Sequence, residues 1–141
     1  MLYELGLQAA IEWLAETVQK QSGLSVYVTG NQDDERLGTG RRVFLFQAVR
    51  ELLFNVIKHA NAQNVQVQLS NTPEHVTIQV SDDGRGSASL TMASQDSDQD
   101  QGFGLFSIRE QLHHYGGQLT FESEVGKGAC ATIRMPLEII D

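Results

Sequence analysis

Cysteine is nearly missing from this chain: Cys130 stands alone. A single thiol excludes an internal disulfide and a metal site built from several cysteines. Long apolar runs are missing as well. No stretch approaches the roughly 20 residues that a membrane-crossing helix needs. The N-terminus has no basic segment leading into an apolar stretch and a small-residue cleavage site, so no signal peptide is expected. Basic clusters are missing too. Lys and Arg number 10 against 18 Asp and Glu, a formal net charge of −8. That acidity argues against nucleic acid or an anionic membrane surface as the main partner. A polyanionic ligand would have to be held by backbone N–H groups, a metal ion and a few placed cations. An intracellular, reducing setting fits these absences.

What is present suits one domain with one core: 141 residues, 40% hydrophobic and 20% charged. Leu7 to Gln21 has the helical period, with Leu7, Ala10, Ile11, Leu14 and Val18 on one face and Gly23 as a stop signal. Leu24 to Val28 reads as a short strand, and Gly30 to Gly40 as a loop. Arg42 to Ala60 carries the strongest helical pattern. Leu45, Ala48, Val49, Leu52, Leu53, Val56, Ile57 and Ala60 define its buried face. Val65 to Leu69 and Val76 to Val80 alternate apolar and polar residues, as half-buried strands do. Asn71-Thr72-Pro73 between them predicts a hairpin. Ser87 to Gln101 is a Ser/Asp/Gln tract without periodicity. Leu105 to Tyr115 is a third helix, and Gln118 to Ser123 and Ala129 to Met135 are two more strands. The order predicts an α+β fold, a two-layer sandwich with three helices on one face of a mixed sheet of about five strands.

Three segments carry candidate chemistry. On the second helix, Glu51, Asn55 and His59 recur at four-residue spacing, which places them on one polar strip, with Lys58 nearby. The strip borders the buried face, so it should line a cleft. An amide oxygen from Asn55 suits Mg²⁺, a hard cation that takes few protein ligands besides phosphates. Glu51 can accept or position a proton, and Lys58 can meet phosphate as a point charge. The second segment is Ser81-Asp82-Asp83-Gly84-Arg85-Gly86, directly after a strand. Its glycines allow a ligand close to the backbone, and Asp82 can accept a hydrogen bond from an exocyclic amine. The third is Gly102-Phe103-Gly104-Leu105, which opens the third helix. Free N–H groups at a helix start form an anion site. Singly, each segment fits a plainer role: a solvated helix face, a tight turn, a glycine-capped helix. Together and in this order they supply a metal ligand, a base reader and a phosphate cradle. Ser87 to Gln101 lies between reader and cradle, where a lid over a nucleotide would sit.

These residues resemble the histidine-kinase-like ATPase superfamily, which also includes Hsp90, DNA gyrase and MutL. Glu51 to Ala60 looks like its N box, Asp82 to Gly86 like its G1 box and Gly102 to Leu105 like its G2 box. Gly126-Lys127-Gly128, a strand and Pro136 complete the pattern. Within the superfamily, the sequences around Glu51–Ala60 and Gly102–Glu110 look like those of sensor kinases that partner nitrate-response-type regulators. The resemblance implies the Bergerat version of the sandwich, in an ATP-binding catalytic domain of a two-component histidine kinase. It implies ATP and Mg²⁺ as cofactors. Asn55 would coordinate the metal, and Glu51 would stand near the γ-phosphate as the catalytic acidic residue. Lys58 would contact phosphate, and His59 would lie beside the adenine or ribose. Asp82 would bind the adenine amino group. Gly84 and Gly86 would shape the pocket, while Gly102, Phe103, Gly104 and Leu105 would close over phosphates and base. Residues 7–141 would be the ATP-binding domain and 87–101 its ATP lid. Residues 1–6 would be the remnant of a linker from a separate dimerisation domain that carries the phospho-accepting histidine. That domain, and indirectly a response regulator, are the implied partners. The implied location is cytoplasmic, with the full-length kinase open to anchoring in the inner membrane.

The pattern has departures. Ala129 replaces a frequent Thr or Ser, and Ser107 a frequent Gly. The four histidines, His59, His75, His113 and His114, all fall inside the domain pattern. A stand-alone serine kinase resembling anti-sigma factors is the alternative enzyme, and a module that has lost nucleotide affinity is the non-catalytic one. Trp13, Cys130, Phe44, Phe46 and Phe54 read as packing residues, with an exposed Trp13 the alternative, open to contact with the separate helical domain.

Overall fold

The computed structural model describes residues 2–30, 38–60, 62–84, 105–124 and 128–137. The first helix, α1, spans Leu2–Ser22. It starts earlier than its periodicity predicts, and it bends where Gly6 leaves the helical region (φ 87°, ψ 178°). The expected stripe Leu7, Ala10, Ile11, Leu14 and Val18 is buried. Trp13 falls off that stripe and is 48% exposed, so it is not a packing residue. At the helix end, Ser22 Oγ donates to Val18 O and accepts from Leu24 N–H. Gly23 then turns the chain with a positive φ. Gln19 Oε1 accepts from Val26 N–H at 2.8 Å, which fastens α1 to β1, Ser25–Gly30.

Helix α2, Thr39–Asn55, buries Phe44, Leu45, Ala48, Val49, Leu52 and Leu53. The sequence predicts one α-helix to Ala60. The chain instead widens after Asn55 into a π-helical turn, Val56–Ala60. That turn rotates Ile57 out to 41% exposure, although the helical period assigns it to the core. The remaining elements are β2 (Asn64–Asn71), β3 (His75–Asp82), α3 (Leu105–His114), β4 (Gln118–Glu124) and β5 (Gly128–Pro136). His113 and His114 are exposed in the last turn of α3, where a cation suits the helix dipole.

The sheet has the order β1-β2-β3-β5-β4. Only β1 and β2 run parallel; the other pairs are antiparallel. Alternation along each strand sorts its two faces. Val67, Ile78 and Ile133 are fully buried with the helices, whereas Gln66, Gln68, Gln79 and Arg134 face solvent. One cluster of buried side chains joins all three helices to that inner face. This is the predicted α+β sandwich. Cys130 alternates with buried Ala129 and Ala131, so it belongs to the outer face and is only half-buried. Phe44 packs in the core. Phe54 is half-buried, with the Arg50 guanidinium 5.1 Å from its ring centre. Among the described residues, no helix is long and apolar enough to cross a membrane.

Candidate functional site

Asn55 is the last α-helical residue before the π-helical turn. Its Nδ2 is buried and has no hydrogen-bond partner among the described residues. A buried amide end without a partner costs about 1–3 kcal/mol, so native folds seldom leave one for packing alone. Turning the amide over presents oxygen in place of nitrogen at that point. The arrangement therefore fits a ligand on Asn55, either a hydrogen-bond acceptor or a hard cation. Glu51 lies one turn earlier in α2 and is half-buried; Lys58 lies in the turn and is exposed. The backbone of Lys58 and His59 lies in the π-helical turn rather than in a continuing α-helix. Widened turns of this kind recur at functional sites because they re-aim side chains.

Asp82 ends β3, level with Val65 of β2 and Ala129 of β5. Its Oδ1 accepts from Gly84 N–H at 2.8 Å. Burial pushes the Asp82 carboxyl above the usual carboxylate range. The N–H groups of Gly84 and Ala129 pull the other way, and the neighbouring Asp83 charge adds a smaller upward push. Ala129 lacks a side-chain hydroxyl, and its backbone N–H takes the polar role here. Gly128 backs the same point. A Cβ built on it would stand 2.0 Å from the Asp82 carbonyl oxygen, and its φ is +87°.

Asp83 points differently. Its Oδ1 accepts from Gln63 N–H and Asn64 N–H, each at 2.9 Å, and its Oδ2 accepts from Asn64 Nδ2 at 2.8 Å. These bonds hold its carboxyl below the usual range, the Asn64 side chain contributing most. Stability from this group is complete above the unfolded Asp value and is lost as pH falls through the lower folded value. The sequence reading gave Asp83 no role, nor Gly128 one against Asp82. Their partners lie 19 or more residues away, and no local signal names them.

Glu51 and Asn55 thus lie on α2, Lys58 on the π-helical turn, Asp82 at the end of β3 and Gly84 just beyond it. Gly86, Gly102, Phe103, Gly104 and the proposed lid 87–101 lie outside the described residues, as does the side chain of His59. Leu105 is the first residue of α3. A cavity of about 450 Å³ lies beside the site, between the α1–β1 corner and the π-helical turn. Val56, Ile57, Gln63 and Asn64 help line it, whereas Asn55 and Asp82 do not. Among the described residues, no group of three or more His, Cys, Asp or Glu is placed to hold a metal.

The fold is a mixed sheet under three helices, with a half-buried carboxylate at one strand end and a buried amide end where α2 meets the π-helical turn. Residues 40–139 match the family described as histidine kinase-, DNA gyrase B-, and HSP90-like ATPase, and the chain belongs to that family. Two curated relatives are named as histidine kinases. It is 25% identical over 141 residues to the signal transduction histidine-protein kinase/phosphatase DegS of Bacillus subtilis, across 98% of this chain and 36% of DegS. It is 30% identical over 129 residues to the sensor histidine kinase YxjM of Bacillus subtilis, across 91% of this chain and 30% of YxjM. The chain thus spans about a third of the length of these relatives. Among solved structures it resembles the Erythrobacter litoralis EL346 blue-light activated histidine kinase, with TM-score 0.70 and 25% identity. That match covers 93% of this chain and 45% of the other.

Proposed function

We propose that this chain binds Mg-ATP and donates the γ-phosphoryl group to a histidine on a separate dimerisation domain. The reading is supported by one feature at Asn55 and one at Asp82. The first is a buried amide end with no partner among the described residues, and the second a half-buried carboxylate. Both lie in a family whose relatives here are named histidine kinases. Asp82 would accept a hydrogen bond from the adenine amino group, which guanine cannot offer at that position. Asn55 would hold Mg²⁺ through its amide oxygen, as a hard cation prefers. Bound there, the metal would neutralise charge on the phosphate oxygens. Glu51, one turn before Asn55, would orient the incoming imidazole and take up its proton. Lys58 would meet phosphate from the turn, and His59 the base or ribose. Gly84 and Gly86 would let the base approach the backbone. Gly102, Phe103, Gly104 and Leu105 would supply N–H groups to the phosphates. The phosphorylated histidine would then serve a response regulator, and the motif wording favours one of the nitrate-response type.

Phosphotransfer in trans tests this. The chain is mixed with Mg-ATP and a histidine-bearing helical dimerisation domain, and acid-labile, alkali-stable phosphate is counted. The wild type is expected to label the acceptor, and Asn55→Ala to do so at least about 100-fold more slowly, since positioning and charge neutralisation do most of this chemistry. Equal labelling by both proteins would remove Asn55 from the role. Acid-stable label on serine would point to the other kinase class.

A further inference from the structure

Asp82 and Asp83 are neighbours in sequence, yet their carboxylates serve opposite sides of the strand end. The β2–β3 ladder stops at Val65 and Asp82. Gln63 and Asn64 overhang it, and their N–H groups have no place in that ladder. Asp83 closes the gap with one carboxylate and its own backbone. Three hydrogen bonds of 2.8–2.9 Å converge on its two oxygens from Gln63 and Asn64. Its N–H donates to Asn64 O at 3.2 Å, while Ser25 N–H donates to Gln63 O at 3.0 Å. Gln63 and Asn64 are thereby pinned between β1 and β3. They follow the π-helical turn closely: it ends at Ala60, and β2 begins at Asn64. The turn carries Lys58 and starts directly after Asn55.

We infer that Asp83 is a positioning residue for nucleotide binding, setting the separation between the base-reading carboxylate of Asp82 and the metal- and phosphate-reading segment Asn55–Lys58. The inference rests on the nucleotide reading of the site given above. Asp83 need not touch the ligand. It acts through Gln63 and Asn64, which follow the π-helical turn within four residues and fix where the chain leaving that turn joins the sheet. Its effect should appear only for ligands that bridge both ends. Mg-ATP spans base reader and phosphate reader, whereas adenosine engages the base reader alone.

The test compares Mg-ATP and adenosine on the wild type, Asp83→Ala and Asp83→Asn, by calorimetry and NMR titration well below each protein's unfolding temperature. Asp83→Ala is expected to weaken Mg-ATP about tenfold, the size of one lost charge-assisted hydrogen bond, and adenosine less than about twofold. Asp83→Asn keeps an amide oxygen for the Gln63 and Asn64 N–H groups and should recover most of the Mg-ATP affinity. Should Asp83→Ala fail to fold, Asp83→Ser, which keeps one acceptor oxygen, takes its place in the comparison. Equal losses for the two ligands, or unchanged Mg-ATP affinity in folded Asp83→Ala, would overturn the positioning role and leave the nucleotide reading standing. A wild type that binds neither ligand would overturn both, and the two failures are thus told apart.

Discussion

Gly128→Ala is expected to unfold the domain at a temperature about 6–20 °C below the wild type. Two costs add. A residue with a Cβ at φ +87° sits in the left-handed region, which costs about 1–2 kcal/mol. The new Cβ also lands 2.0 Å from the Asp82 carbonyl oxygen, with Asp83 Cα at 3.3 Å. That neighbour is backbone at the end of a central strand, so it cannot swing aside like a side-chain tip. Overpacking of this kind adds about 1–3 kcal/mol. For a domain of this size each kcal/mol moves the melting temperature by about 3–4 °C. Gly23→Ala is the control. Gly23 also has a positive φ, +77°, but a Cβ there meets nothing within 4 Å. It should lose only the conformational part, a few degrees. Thermal melts of the two variants separate strain from collision. Equal shifts would show that Gly128 is not held against Asp82. Gly128→Ala should also bind nucleotide more weakly, because the backbone it displaces carries the carboxylate proposed to read the base.

Asp82→Asn is expected to move stability and binding in opposite directions. Burial raises the Asp82 carboxyl above its unfolded value. Between the unfolded value of about 3.9 and the folded one, the folded chain binds more protons than the unfolded chain. Stability therefore falls as pH rises through that window, and at neutral pH the buried charge is a net cost. Asparagine keeps an oxygen for the Gly84 and Ala129 N–H groups and removes the charge. The nucleotide-free variant should melt above the wild type at pH 7. The gain should vanish below the unfolded Asp value, where both side chains are neutral. The same change should cost about 10- to 100-fold in ATP affinity, since hydrogen bonds to a charged acceptor contribute about 1.5–3 kcal/mol. Melts at several pH values and titrations at pH 7 check the two halves. A variant that is less stable than the wild type at pH 7 would show that the charge is not the strained element.

The pattern of legible and illegible features follows from how far each signal reaches along the chain. The helix faces are written at three- and four-residue spacing. Leu7 to Val18 and Leu45 to Leu53 therefore appear in the core as their periods require. Strand alternation likewise sorted Val67 and Ile78 inward and Gln66 and Gln79 outward. Pairing carries no such local mark. Nothing in the last two strands says that β5, not β4, lies beside β3. Ile57 marks the limit of periodicity itself. The apolar spacing runs on past Asn55, while the backbone adds a residue to the turn and swings Ile57 outward. Trp13 lies off the α1 stripe, and that place exposes it, as the second of its two readings has it. Cys130, read as a strand core residue, falls on the outer face. Of the candidate site, Asn55 and Asp82 could be chosen from residue type and context. The Asp83 clamp on Gln63 and Asn64 could not, because it joins residues that only folding brings together. Gly128 is the intermediate case. Its place in a glycine pair is visible, but its contact with Asp82 depends on β5 pairing with β3.

The most direct measurement is calorimetric titration of the wild-type chain with ATP and, separately, GTP, each with Mg²⁺. A carboxylate at the strand end that accepts from the base amine, with an amide at the helix end for the metal, predicts saturable ATP binding. GTP should bind at least about tenfold more weakly, because its ring carbonyl would face the carboxylate. Equal heats and affinities for the two nucleotides, or none for either, would contradict the account at its centre.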